Sequence, residues 1–311
     1  MVRKILIVST LVLAGLVFAP AAAATSPGQN GRIVFSTQAT GSFQLYTLRP
    51  SHGGLHQLTH VSGDAVHPDW SPNGRWIVFE LDTPNRCSIA LMRADGSHLR
   101  TLPRPPGAEC DGQPSFTPGG HRIVFGSFNP HTEDEAIWIG NLDGTHQHRL
   151  ATSPFGGATD PNVSPRGGWL TFVGFNGQPF GQGLIRTSIR GQHPKLLLPY
   201  ATDVAVKHDW APDGDRIVFT NNADRTDRSA NIGTITAGGT GLRWLTHLHD
   251  PTVRAYAGSY SPDGRWIAYR LENHGRYSLM RMHPDGSDKQ VIRRFADIAP
   301  RFIDWGPTQQ D

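Results

Sequence analysis

An all-β architecture, a six-bladed antiparallel β-propeller with four strands per blade, is predicted on three grounds. First, a phrase recurs. Asp69-Trp70-Ser71-Pro72-Asn73-Gly74-Arg75-Trp76-Ile77-Val78-Phe79 returns as Asp209-Trp210-Ala211-Pro212-Asp213-Gly214-Asp215-Arg216-Ile217-Val218-Phe219, and again over Ser259-Tyr260-Ser261-Pro262-Asp263-Gly264 with Arg265-Trp266-Ile267-Ala268-Tyr269. Weaker copies are Ser115-Phe116-Thr117-Pro118-Gly119-Gly120 and Asn162-Val163-Ser164-Pro165-Arg166-Gly167. Second, the phrase prolines Pro72, Pro118, Pro165, Pro212, Pro262 and Pro307 lie 46, 47, 47, 50 and 45 residues apart. A period this regular marks a repeat architecture. Third, no segment beyond the N-terminal leader shows helical periodicity, and short β-branched and aromatic runs are punctuated by Gly and Pro.

Each repeat reads as four strands. The first runs into the phrase, as in Pro68-Asp69-Trp70, and the second follows it, as in Trp76-Ile77-Val78-Phe79. The third is a mid-repeat run such as Ser88-Ile89-Ala90-Leu91-Met92 or Tyr277-Ser278-Leu279-Met280. The fourth precedes the next phrase, as in Leu99-Arg100-Thr101-Leu102 or Leu242-Arg243-Trp244-Leu245-Thr246. Pro-Asn-Gly or Pro-Asp-Gly joins strands one and two: proline presets φ and glycine takes the left-handed position. Asp95-Gly96, Asp143-Gly144 and Asp285-Gly286 join strands three and four, as do Gly191 and Gly238-Gly239. Second strands begin at Arg32, Trp76, Arg122, Trp169, Arg216 and Trp266, which makes six. The first repeat lacks a phrase of its own. The missing strand is Ile303-Asp304-Trp305-Gly306-Pro307, so the C-terminal strand is expected to complete the N-terminal blade and remove the open seam.

Residues 1–24 read as an export signal: Arg3 and Lys4, then an apolar run from Ile5 to Phe18, then small residues with cleavage expected near Ala24. The run is short for a membrane span and no second one follows. Residues 25–311 are expected to form a single exported domain, periplasmic or secreted. The formal charge is +3, from 29 basic and 26 acidic residues. Loss of Arg3 and Lys4 brings it close to balance, which argues against nucleic acid or anionic lipid as partner. Cys87 and Cys110 are the two cysteines, read in an exported chain as a disulfide worth roughly 3 kcal/mol. Cys87 falls in a two–three loop and Cys110 in a four–one loop, both placed in one blade on the variable face.

The Asp-Trp-Ser-Pro-Asp/Asn-Gly phrase followed by Arg-Trp-Ile-Val/Ala-Phe/Tyr resembles the repeat of the TolB-like six-bladed β-propellers. The resemblance covers about residues 30 to 308. It implies partnership with envelope proteins, since the namesake of the family works with peptidoglycan-associated lipoprotein and other Tol components. The namesake carries an α/β domain ahead of its propeller. This chain reads as a stand-alone propeller. Oligogalacturonate lyases carry a related propeller.

The phrase aromatics Trp70, Phe116, Trp210, Tyr260 and Trp305, with Val163 in their place once, recur once per blade and are expected to pack between blades rather than stack on sugar. With four strands per blade, the loops two–three and four–one share one face and are the less regular set, as binding loops are. Residues just before the first strands are expected to rim the channel there: His67, Asp111, Asp160, Lys207, His208, Arg254, Tyr256 and Asp297. They offer a polar ligand site, or a solvated channel mouth. The 15 histidines, including His146, His148, His247, His249, His56 and His60, read as surface residues because the clusters fall in different repeats. The glycine-rich stretch 174–183 reads as a flexible loop, with Phe175 and Phe180 as contact residues or a local plug. No Gly-x-Ser-x-Gly, phosphate-cradling glycine loop or HExxH occurs. The leading reading is therefore a monomeric, non-catalytic, cofactor-free exported scaffold for a protein or other envelope partner. One alternative is a metal-dependent polysaccharide lyase or hydrolase using His67, His208 and Asp160. The other is a small-ligand sensor.

Overall fold

The computed structural model describes residues 27–309, apart from residues 52, 130, 133, 153–156, 178–179 and 223–225. The export signal expected over residues 1–24 lies outside the described residues. The described chain is an all-β propeller of antiparallel sheets. Its one helical element is a 3-10 turn at Tyr200–Thr202. No helix among the described residues is long and apolar enough to cross a membrane.

The chain enters through β1 (Asn30–Thr37), β2 (Gln44–Leu48) and β3 (His56–Gln57). A first complete meander follows in β4 (Asp64–Trp70), β5 (Trp76–Thr83), β6 (Arg86–Arg93) and β7 (Arg100–Thr101). A second comprises β8 (Cys110–Phe116), β9 (Arg122–Asn129), β10 (Asp134–Asn141) and β11 (His148–Ala151). A third comprises β12 (Ala158–Val163), β13 (Trp169–Asn176), β14 (Gly181–Ser188) and β15 (Lys195–Leu198). A fourth comprises β16 (Asp209–Trp210), β17 (Arg216–Thr220), β18 (Ile232–Thr236) and β19 (Arg243–Trp244). The last comprises β20 (Val253–Tyr260), β21 (Ile267–Asn273), β22 (Arg276–Met282) and β23 (Gln290–Phe295), before the chain ends in β24 (Arg301–Pro307). β24 pairs antiparallel with β1, so the first sheet has the order β24-β1-β2-β3 and joins the two ends of the chain.

The turns follow the local chemistry of the sequence. Gly74, Gly120, Gly167, Gly214 and Gly264 sit at φ between 66° and 75° after the phrase prolines. There a side chain would be strained. The phrase serine fixes the same turn: Ser71 Oγ accepts the Trp76 N–H at 2.8 Å and donates to Asn73 at 2.8 Å, and Ser261 repeats this with Trp266 and Asp263. At the Asp-Gly turns the aspartate accepts both N–H and O–H two residues on, as at Asp95–Ser97 and Asp143–Thr145.

The core lies between sheets. Trp70, Phe116, Val163, Trp210, Tyr260 and Trp305 are all buried. Each hydrophobic cluster draws on two consecutive four-stranded units. One joins Val34 and Leu45 to Trp70, Ile77 and Phe79. Another joins Ala268, Leu279 and Phe295 to Ile33, Phe35 and Trp305, connecting the last meander to the first sheet. Close approach is part of this packing. A methyl on Gly306 would run into the Trp70 ring, so the closing strand can lie against the indole only with glycine there.

The cysteines depart from expectation. They do form a disulfide, with Cα atoms 4.7 Å apart. Cys87, however, lies within β6 and Cys110 opens β8, so the bond ties consecutive meanders rather than two loops of one blade. The pair also forms the one parallel bridge between β6 and β8, which fuses the two meanders into a single eight-stranded sheet. The stretch 174–183 differs too. Its described residues 174–176 and 181–183 pair across β13 and β14, and the Phe175 and Phe180 rings stack with centroids 5.9 Å apart. Replacing both cysteines by serine is expected to lower unfolding free energy by roughly 3 kcal/mol, the loop-closure entropy of a loop this size. Denaturant titration of the oxidised wild type beside the variant, with reduced wild type matching the variant, checks it.

Candidate functional site

The residues near the axis are aimed by a repeated backbone irregularity. Register shifts, where one residue bulges out of the ladder, occur in β4 between Val66 and Asp69, in β8 between Gly112 and Ser115, and in β12 between Thr159 and Asn162. His67, Gln113, Asp160 and Phe302 adopt φ of 49° to 51° at the equivalent points of β4, β8, β12 and β24. Pro68, Pro114 and Pro161 follow three of them and supply no N–H to the ladder. A bulge re-aims its side chain, and His67, Gln113 and Asp160 line one narrow central space together with Asp69 and Lys207.

Three phrase aspartates bridge neighbouring four-stranded units just beneath. Asp69 accepts the Phe116 N–H, Asp209 the Tyr260 N–H and Asp304 the Trp70 N–H, each at 2.8 Å. Lys207 supplies their counter-charge, its Nζ 3.7 Å from Asp304 Oδ1. Burial works against the Lys207 ammonium, but Asp304, then Asp69, Asp209 and Asp160, outweigh it and push its pKa up to about 12. Asp69 is raised well above the usual carboxylate range by burial and by the nearby Asp304. Asn162 fills the aspartate position in the third meander, donating to the His208 carbonyl at 3.1 Å.

Asp160 and His208 meet directly, with Nδ1 2.9 Å from Oδ2. His208 Nε2 lies 2.8 Å from Thr171 Oγ1. Carboxylate, imidazole and hydroxyl in line have the connectivity of a nucleophilic triad. Thr171 is 0% exposed, however, and its oxygen also accepts the Trp210 Nε1–H at 2.9 Å and donates to the Asn162 carbonyl at 3.1 Å. A hydroxyl so engaged, behind a His208 that is 1% exposed, holds the sheet together and has no approach for substrate.

A second cluster surrounds Glu80 on β5. His67 Nδ1 lies 2.9 Å from Glu80 Oε2, and the Gln113 N–H donates to the same oxygen at 2.9 Å. Burial alone would raise Glu80, but His67 and the Gln113 N–H bring it below its ordinary value. Asp82 takes the opposite course: burial and the adjacent Glu80 charge raise it to about 7. The His67 ring rests on Phe302 with centroids 3.7 Å apart.

At the open end is a cavity of about 380 Å³. It is lined by Lys207, Arg254 and Tyr256 of the expected rim, and by Arg270, Arg301 and Phe302, which the sequence reading did not select. Arg270 lies with its guanidinium 3.9 Å from the Tyr256 ring centroid. It follows the second-strand run Trp266-Ile267-Ala268-Tyr269, where the other copies have Ser36, Glu80, Gly126, Val173 and Thr220. The change of side-chain class at a position one step past a repeated apolar run was the available signal. Two rim candidates lie elsewhere. Asp111 is buried against Ser127, with burial raising its pKa and Arg104 and Arg86 as the nearest cations. Asp297 is exposed in the connection before β24. His56, His60, His146, His148, His247 and His249 are exposed. Among the described residues, no three His, Cys, Asp or Glu side chains group in a way that could hold a metal ion.

The architecture is that of an antiparallel β-propeller with a charged plug at its centre. No family model matches the chain. It is 25% identical over 257 residues to the Tol-Pal system protein TolB of Francisella tularensis subsp. holarctica, a match covering 80% of this chain and 56% of that one. It is 31% identical over 140 residues to an uncharacterised protein of Agrobacterium fabrum, covering 42% of this chain and 47% of that protein. The chain thus spans about half the length of these curated relatives. The crystal structure of TolB from Acinetobacter baumannii superposes with a TM-score of 0.71 at 17% identity, over 89% of this chain and 67% of that one. The chain is therefore similar in sequence to Tol-Pal system proteins TolB and shares the TolB β-propeller fold.

Two outcomes test the electrostatics. Lys207→Met is expected to cost about 3–5 kcal/mol at neutral pH, because it leaves buried carboxylates without their cation. Part should return as pH falls and those carboxylates take up protons; denaturant titration at pH 7 and pH 4.5 measures both. Asp82 has a folded-state pKa above its unfolded value, so its contribution is fully present below about 4 and is lost as pH rises toward 7. Asp82→Asn is therefore expected to remove a loss of melting temperature between about pH 4 and 7, read by thermal melts across that window.

Proposed function

We propose that the chain is an exported scaffold that binds a protein partner of the cell envelope through the channel-mouth face of a six-bladed propeller. Residues 1–24 serve as leader and residues 25–311 as one domain. Counting β4–β7 and β8–β11 as separate blades, despite the Cys87–Cys110 bridge that merges them, gives six four-stranded units with the β24-β1-β2-β3 sheet. The protein acts as a monomer and without a cofactor.

The observation that carries the reading is the alignment with Tol-Pal system proteins across 80% of the chain. The geometry agrees with it. The repeated phrase aromatics are buried in packing, whereas the variable residues Arg254, Tyr256, Arg270 and Phe302 line an open cavity. The rival lyase reading needs His67, His208 and Asp160 to converge on substrate or metal. His67 instead pairs with Glu80, and His208 is held between Asp160 and Thr171. Such sites lie where several blades meet, and fold alone does not choose among them.

Capture from an envelope extract of the source organism, using tagged protein processed in that organism, tests the proposal. Tyr256→Ala is expected to release the partner that wild type retains. Trp169→Ala, at the half-exposed start of β13 next to the Pro-Arg-Gly turn, is expected to retain it. Retention by both variants, or by neither wild type nor variants, would count against the assigned face or the scaffold role respectively.

A further inference from the structure

We infer that the cavity at the channel mouth receives a carboxylate carried on an apolar peptide segment. The inference deepens the scaffold reading and rests on it. Lys207, Arg254, Arg270 and Arg301 line the cavity, and no Asp or Glu is among its lining residues. Two of these cations are already engaged. Lys207 balances Asp304 and the aspartates beneath it. Arg254 donates to the Asn222 carbonyl at 3.3 Å and stands across the ladder from Glu272. Glu272 also acts on Arg270, so one carboxylate serves both Arg254 and Arg270, and an excess of positive charge remains around Arg270 and Arg301.

These two guanidiniums are placed for an anion. Burial lowers the Arg270 pKa and the nearby Arg301 adds to that, while Tyr256 and Glu272 oppose it. Arg270 Nε is buried and has no acceptor among the described residues. Its guanidinium is fixed against the Tyr256 ring at 3.9 Å, which orients the planar fork before a ligand arrives. Arg301 reaches from β24, with its guanidinium 5.4 Å from the Phe43 ring centroid. An anion between them would relieve the repulsion and satisfy the buried donor, and planar carboxylates match guanidinium forks in two parallel hydrogen bonds.

The walls select the class of anion. Tyr256, Pro300, Phe302 and Ile303 add apolar surface beside the arginines. Inorganic phosphate would leave that surface unused. A glutamate or a chain-terminal carboxylate flanked by apolar residues would use both, and about 380 Å³ is room for one or two side chains.

Fluorescence anisotropy with the full processed protein and a labelled hexapeptide, Ala-Phe-Glu-Leu-Glu-Phe with a free carboxyl end, tests this. The expected result is binding that weakens at least tenfold in Arg301→Gln and in Arg270→Gln, with melting temperatures held. Should Arg270→Gln fail to fold, the exposed Arg301→Gln carries the test. Amidating the terminus, or exchanging each Glu for Gln, tells which carboxylate is held. Equal affinity for the peptide lacking both kinds of carboxylate, or unchanged affinity in the folded arginine variants, overturns the inference. Displacement by equimolar inorganic phosphate overturns the peptide assignment. If the peptide fails while Tyr256→Ala still releases a captured partner, the scaffold reading stands and this one falls.

Discussion

Three buried carboxylates set the terms for the rest of the molecule. Asp69, Asp209 and Asp304 each reach from one four-stranded unit to the backbone N–H of the next unit's phrase aromatic. A carboxylate so placed fixes the height and register of its neighbour, which apolar packing alone does poorly because it is non-directional. It also brings negative charge into a space with little water. Uncompensated, that charge would cost more than the hydrogen bonds return. Lys207 makes the arrangement tenable, and its own burial is tolerated because four aspartates face it. Clasp and counter-charge are therefore one device.

The same device explains why the bulges matter. In a regular strand His67, Gln113 and Asp160 would alternate between sheet faces buried by neighbouring blades. The left-handed φ at each point turns the side chain toward the axis instead. Backbone strain of this kind persists only where surrounding structure repays it. The compensation is visible: Glu80 holds both His67 and the Gln113 N–H, the Gln113 side chain receives the Asp160 N–H, and Asp160 holds His208. The chain of contacts passes from blade to blade around the axis, so a change at one blade is felt at the next.

This division decides what could be read from the sequence. The Pro-Asn-Gly and Asp-Gly turns were legible because their conformation is set within four residues. The burial of Trp70, Trp210 and Trp305 was legible because a large aromatic repeated once per period has nowhere else to go. The closing strand was legible from one missing phrase. The role of Asp69 was not, although it opens the most obvious motif in the chain. Its partner, Phe116, is 47 residues away and belongs to the next unit. The disulfide was half legible: the pairing followed from two cysteines, but Cys110 opens the following meander, and no local signal fixes where a four–one connection ends. Lys207, Arg254 and Tyr256 line the cavity, whereas Asp297 precedes the same kind of strand and is exposed. Position in the repeat specifies a strand and its face more sharply than the reach of a side chain at its end.

The plug also gives the mouth its sign. Without Lys207 the centre would present Asp69, Asp160, Asp209 and Asp304 to anything entering the channel, and the field there would favour cations. Lys207 borders both the narrow central space and the outer cavity, so it offsets part of the carboxylate charge at the boundary between them. The cavity outside that boundary is lined by Arg254, Arg270 and Arg301 and by no carboxylate. Charge in a concave, partly apolar site acts over a longer range than the same charge on open surface. These arginines are thus enough to make the mouth cationic on a chain whose total charge is only +3.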